Sequence, residues 1–72
     1  MKTINKFTAI RVIKDGGNMV YDDITTKVWV EDKDGNNCGT VRFETYLKMM
    51  PLLLKVNKTF STVKYTLKDV CY

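Results

Sequence analysis

The sequence predicts a small α+β domain, mainly β, built as a twisted antiparallel sheet or open barrel of order β-β-β-α-β with a short helix near residues 45–56. Three observations predict it. Two glycine-bearing turn signals, Asp15-Gly16-Gly17-Asn18 and Lys33-Asp34-Gly35-Asn36, each lie between runs rich in β-branched and aromatic residues. The pattern then changes after Phe43, where Pro51 interrupts an apolar run. Finally, Thr59 to Val70 alternates apolar and polar residues at a strand's period of two.

The first signal separates Ile10-Arg11-Val12-Ile13 from Met19-Val20-Tyr21, and the second separates Val28-Trp29-Val30 from Val41-Arg42-Phe43. Glycine supplies the positive φ that a tight hairpin turn needs, so two hairpins sharing a middle strand are expected, a three-stranded meander. Centring the second hairpin on Asp34-Gly35 pairs Val28 with Val41, Trp29 with Thr40 and Thr26 with Phe43. Alternation then puts Ile24, Val28, Val30, Val41 and Phe43 on a core face and Lys27, Trp29, Thr40 and Arg42 on the other. Counting further back leaves Asp22 inside and Tyr21 outside. A bulge near Asp22-Asp23 would resolve the conflict by turning Tyr21 inward against Val12, and bends of that kind close small barrels.

Thr45 is positioned to cap a helix through Tyr46-Leu47-Lys48-Met49-Met50, and Pro51 kinks it or opens a turn. Leu52-Leu53-Leu54 is apolar on every side, too much for one face of a surface helix. In the last run Val63, Tyr65 and Leu67 face one way and Lys64, Thr66 and Lys68 the other, as in a strand that closes the sheet. An OB-like or SH3-like shape fits this order; a plain four-stranded sheet with one helix packed on it is the alternative.

At 72 residues the chain has room for a single domain. Such a chain buries only about 60% of the surface its unfolded form exposes, so its core is marginal without help from a crosslink, a metal or a partner. With 44% hydrophobic and 28% charged residues it is not composed like a disordered segment. Its first residues lack the apolar stretch of a secretion signal. The longest apolar run, Met49 to Leu54, falls far short of the roughly 20 residues of a membrane span, so no membrane partner is expected. Two cysteines, Cys38 and Cys71, are too few for a secreted disulfide scaffold, which favours a reduced, cytoplasmic protein.

The net charge of +4 is unevenly spread. Lys2, Lys6, Arg11 and Lys14 open the chain, six acids against two lysines make residues 15–34 acidic, and residues 35–72 are basic again. A partly basic surface suits nucleic acid and suits an ordinary solvated surface equally.

Catalytic chemistry finds little purchase. With no histidine, the commonest general base and zinc ligand is missing, and Ser61, the sole serine, sits in no nucleophile motif. Asp32-Lys33-Asp34-Gly35-Asn36 starts like a calcium loop, but glycine is not at its sixth position and Phe43 stands where the twelfth-position glutamate belongs. Asp22-Asp23 is an adjacent acidic pair, but neighbours on a strand point to opposite faces. Gly16-Gly17 precedes a strand rather than a helix, so it is no phosphate loop. The expectation is a non-enzymatic protein with no cofactor and no metal.

Two binding surfaces follow. Lys27, Trp29 and Arg42, extended by Lys64 and Lys68 if the last strand joins the sheet, would place an aromatic ring among cations. Single-stranded DNA or RNA uses such a face, stacking bases on the ring for about 1–3 kcal/mol each. A solvated sheet face has the same composition, and a buried Trp29 would remove the site. The second surface is an apolar patch of Met49, Met50, Leu52 and Leu53, continued by Leu54. Core packing would absorb much of it; any excess would serve a homodimer or dock an inhibitor or adaptor onto a larger partner protein. An exposed sheet edge or the acidic Asp15–Asp34 region would offer further routes, and a structural subunit of an assembly is a third reading.

Overall fold

The computed structural model describes residues 2–68. In chain order it has α1 (Lys6–Lys14), β1 (Asn18–Asp22), β2 (Lys27–Glu31), β3 (Asn37–Val41), α2 (Phe43–Met49), a 3-10 turn (Met50–Leu52), β4 (Leu53–Thr59) and β5 (Thr62–Leu67). The five strands form one open antiparallel sheet in the order β3-β2-β1-β5-β4. The fold is therefore α+β, with three strands, a helix and a closing strand in the expected order. The closing strand is β5, and a further strand, β4, occupies the apolar stretch before it.

One segment departs from expectation. Ile10–Ile13 is not the first strand of a meander but part of α1. Its β-branched residues carry a helix-propensity cost of a few tenths of a kcal/mol each, which burial and capping outweigh. The Asn5 side chain caps the helix by accepting from the Thr8 N–H at 2.9 Å. Ala9 and Ile13, one turn apart, are fully buried against the sheet. The Gly16 signal ends this helix rather than turning a hairpin: with φ +103°, Gly16 donates to the Ile13 carbonyl and Gly17 to the Val12 carbonyl, a Schellman closure.

The meander is instead β1-β2-β3. β2 pairs with β3 through Val28–Val41 and Trp29–Thr40 as the alternation requires, while Thr26 and Phe43 lie beyond the ladder. No bulge forms at Asp22-Asp23; β1 ends there in a turn, with the Asp22 carboxylate accepting from the Ile24 and Thr25 N–H groups. The bulge falls at Cys38, where Glu31 shifts onto Asn37. Ile24, expected in the core, is 78% exposed in the turn, and Phe43 is half-exposed at the start of α2.

The core lies between the helices and one face of the sheet: Ile4, Ala9 and Ile13 against Met19, Val28, Val30, Val41, Leu53 and Leu67, with Tyr46 and Met49 of α2. Residues such as Ile13, Met19 and Met49 each contribute about 1.5–3 kcal/mol by burial. α2 has only seven residues and no side-chain N-cap, so it depends on its ring contacts. Tyr46 stacks on Tyr21 with ring centroids 5.1 Å apart, and its hydroxyl lies 3.0 Å from that of Tyr65.

The two sheet edges differ. β3 is covered by the N-terminal segment: Ile4 N–H donates to the Thr40 carbonyl and Thr40 N–H to the Lys2 carbonyl, a parallel bridge centred on Thr3. Among the described residues nothing pairs with the outer edge of β4. Of the run expected to reach Val70, residues 69 and 70 lie outside those described, as does Cys71. No helix among the described residues is long and apolar enough to cross a membrane.

Candidate functional site

The sheet face away from the helices carries a row Thr40, Trp29, Val20, Lys64 across four strands. Val20, at its centre, is fully covered although it lies outside the core cluster. Its cross-strand neighbours on that face are Trp29 and Lys64. Trp29 Nε1 donates to Glu31 Oε2 at 3.0 Å, and Glu31 Oε1 meets Lys64 Nζ at 3.4 Å. Glu31 was not among the residues singled out from sequence, yet alternation places it two residues from Trp29 on the same face, within side-chain reach. Beside Trp29 runs an open groove of about 630 Å³, bordered by Thr26, Lys27, Asn37 and Thr40.

The structure brings Lys27, Trp29 and Lys64 onto this face and separates Arg42 and Lys68 from them. Arg42 is the N-cap of α2, past the end of β3, beside a smaller hollow bordered by Thr3, Asn5 and Thr45. Lys68 follows β5, where its N–H donates to the Leu52 carbonyl. Lys27 is level with Asp22 and Thr62, three same-face positions along β5 from Lys68, or about 20 Å at a strand's rise. Of the cations gathered here, Lys64 already has its counter-ion in Glu31.

The apolar patch is redistributed. Met49 and Leu53 are core residues, 0% and 5% exposed, and so are withdrawn from any docking surface; Met50 is half-buried and Leu52 is 43% exposed. The short helix turns Met49 inward, and β4 begins at Leu53 with its side chain on the core face, in register with Leu67. The exposed apolar surface continues along β4 instead, through Leu54, Val56 and Phe60. Every residue from Leu54 to Thr59 is exposed, because this edge strand extends beyond the cover of the helices. A bulge at Val56 brings Lys55 into register with Tyr65 and Lys58 into register with Val63.

Phe60 is 96% exposed at the tip of the β4–β5 hairpin and has φ +52°. A bulky side chain in the left-handed region costs about 1–2 kcal/mol, and here no burial offsets it. Sequence periodicity could not reveal this position, since Thr59 to Val70 reads as a single run.

The charges are segregated. Acidic residues concentrate in the turns at Asp22-Asp23 and Asp32–Asp34, where the Asp22 and Asp32 carboxylates cap backbone groups. Asp32 Oδ1 accepts from the Asp34 and Asn36 N–H groups, each at 2.9 Å, and these donors, led by Asn36, hold its carboxyl below the usual range. Asp22 is lowered in the same way, chiefly by the Ile24 N–H. Tyr46 moves the opposite way: burial, then the hydrogen bond with the Tyr65 hydroxyl, raises it above the ordinary phenol value. Among the described residues no three His, Cys, Asp or Glu side chains converge as a metal site would require. Compared with known proteins, the chain matches no family model, no curated protein and no solved structure.

Proposed function

We propose that this chain is a non-enzymatic binding module that docks on a partner protein through the β4–β5 hairpin. The observation that carries the reading is β4 itself: a seven-residue edge strand, unpaired on its outer side among the described residues, presenting Leu54 and Val56 and ending at a fully exposed Phe60. An uncovered edge offers a row of backbone donors and acceptors, and strand addition to such an edge is a general mode of peptide recognition. A photo-cross-linking side chain at position 56 should capture a partner, to be identified by mass spectrometry and then purified, whereas the same group at position 24 should not. Reconstituted binding should fall at least tenfold in Leu54→Glu. Equal capture from both positions would sink the reading.

A second reading has its own observation, the Trp29 groove with Lys27 at its border. We keep single-stranded DNA or RNA as its proposed ligand, an unpaired base stacking on the indole. Quenching of the single tryptophan by short oligonucleotides, reversed by salt, would support it. An unresponsive emission spectrum would remove it.

A further inference from the structure

The charge pattern around β4 specifies the chemistry of its occupant, an inference that rests on the docking reading above. Between Glu44 and Asp69 the chain has no acidic residue, while β4, β5 and the residue after them carry Lys55, Lys58, Lys64 and Lys68. Lys64 is engaged by Glu31. Lys55 and Lys58 lie on the edge strand, exposed and in no ion pair among the described residues. Their registers with Tyr65 and Val63, two residues apart on β5, put both on one face of β4 as if they were next-but-one neighbours. A strand laid alongside would offer its alternate residues to that face, with same-face side chains about 7 Å apart.

Lysines and a bulge on an edge strand are also devices against self-pairing, and here they discriminate between occupants. In an antiparallel pair of two copies, Lys55 and Lys58 of each would lie on facing strands, and like charges across strands are destabilising. A strand with carboxylates at alternate positions meets the opposite situation. We propose that β4 accepts an extended acidic segment of a partner protein, its carboxylates at alternate positions facing Lys55 and Lys58 and its apolar residues meeting Leu54 and Val56.

The test is amide chemical-shift mapping of the full chain with three probes: a ten-residue peptide of alternating glutamate and valine, its lysine–valine counterpart, and a ten-nucleotide oligothymidylate. The acidic peptide should shift the amides of residues 54–60 saturably. Lys55→Glu with Lys58→Glu should weaken it at least tenfold and admit the lysine peptide. Lys55→Gln with Lys58→Gln should give an intermediate loss, with unchanged shifts elsewhere reporting an intact fold. Equal binding of both peptides to the wild type would overturn the acidic preference and leave edge docking standing. No shift with either peptide at millimolar concentration would overturn both. Oligothymidylate moving these amides where the acidic peptide does not would overturn the proposal in favour of nucleic acid. Concentration-dependent self-association through the same amides would overturn it in favour of a second copy.

Discussion

Trp29 is tied to Glu31 two residues along its own strand, indole Nε1 to carboxylate Oε2 at 3.0 Å, and the second carboxylate oxygen faces Lys64. Trp29 and Lys64 flank the buried Val20 as its cross-strand neighbours on the sheet face away from the helices. Removing the carboxylate leaves a part-buried indole N–H without its acceptor, so Glu31→Ala should cost about 1–2 kcal/mol. The Lys64 side chain is 42% exposed, and a screened pair of that kind contributes under about 1 kcal/mol. Urea unfolding followed by Trp29 fluorescence should therefore rank Glu31→Ala as the more damaging. A larger loss for Lys64→Ala would mean that the ion pair, not the indole bond, holds this face.

Phe60 gives a case where stability and docking should separate. Glycine tolerates φ +52° without penalty, and the ring buries almost nothing. Phe60→Gly should raise stability by about 1 kcal/mol, measured by thermal or urea unfolding. Binding of a partner identified through position 56 should weaken in the same variant. If stability falls, the left-handed tip is not a source of strain.

Two glycines should respond differently to alanine. A Cβ at Gly17 would meet the Glu31 carbonyl oxygen and lie 2.8 Å from that of Val12, both backbone atoms that cannot swing away. A Cβ at Gly35 would meet nothing within 4 Å, leaving only the φ of +86° to resist it. Gly17→Ala should cost about 3 kcal/mol and Gly35→Ala about 1. Equal midpoints in denaturant would contradict this ordering.

Acid and alkali should act through different groups. The depressed Asp32 carboxyl stabilises the fold fully above the ordinary aspartate value of 3.8, and that contribution is lost as pH falls through its folded value. Carbon-detected titration should find its midpoint below 3.8, and a midpoint above that value would refute the capping account. Tyr46 has the opposite sign. Its raised phenol stabilises the fold below the ordinary 10.0, and the contribution disappears as pH rises from there towards the folded value. Absorbance of tyrosinate should show one tyrosine ionising late, together with unfolding, and Tyr46→Phe should abolish that late step.

The same residues show why the sequence was partly legible. Val28, Trp29, Val41 and Thr40 alternate so regularly around Asp34-Gly35 that their register could be read directly, because each side chain's face follows from the period of two. Gly16 was ambiguous: a glycine with positive φ serves a hairpin and a helix C-terminus alike. The Asn5 cap and the Ala9–Ile13 spacing, which favour the helix, are weak beside four consecutive residues that include Ile10, Val12 and Ile13. Trp29, Lys27 and Lys64 could be grouped from alternation, whereas Arg42 and Lys68 were misplaced because both lie where a strand has already ended.

Residue pattern alone thus gives the class of this domain, α+β and mainly β with a short helix before its closing strand, since periodicity and turn chemistry are local properties; that the strands form one open sheet rather than a barrel is decided by the tertiary structure. Tertiary structure decides which surfaces remain available. Burial of Met49 and Leu53, the covering of β3 by Lys2–Ile4, the exposure of β4 and the pairing of Glu31 with Lys64 all join residues far apart in sequence or depend on what packs above them. No local pattern encodes which edge of a sheet the rest of the chain leaves uncovered, and on that edge the proposed docking depends.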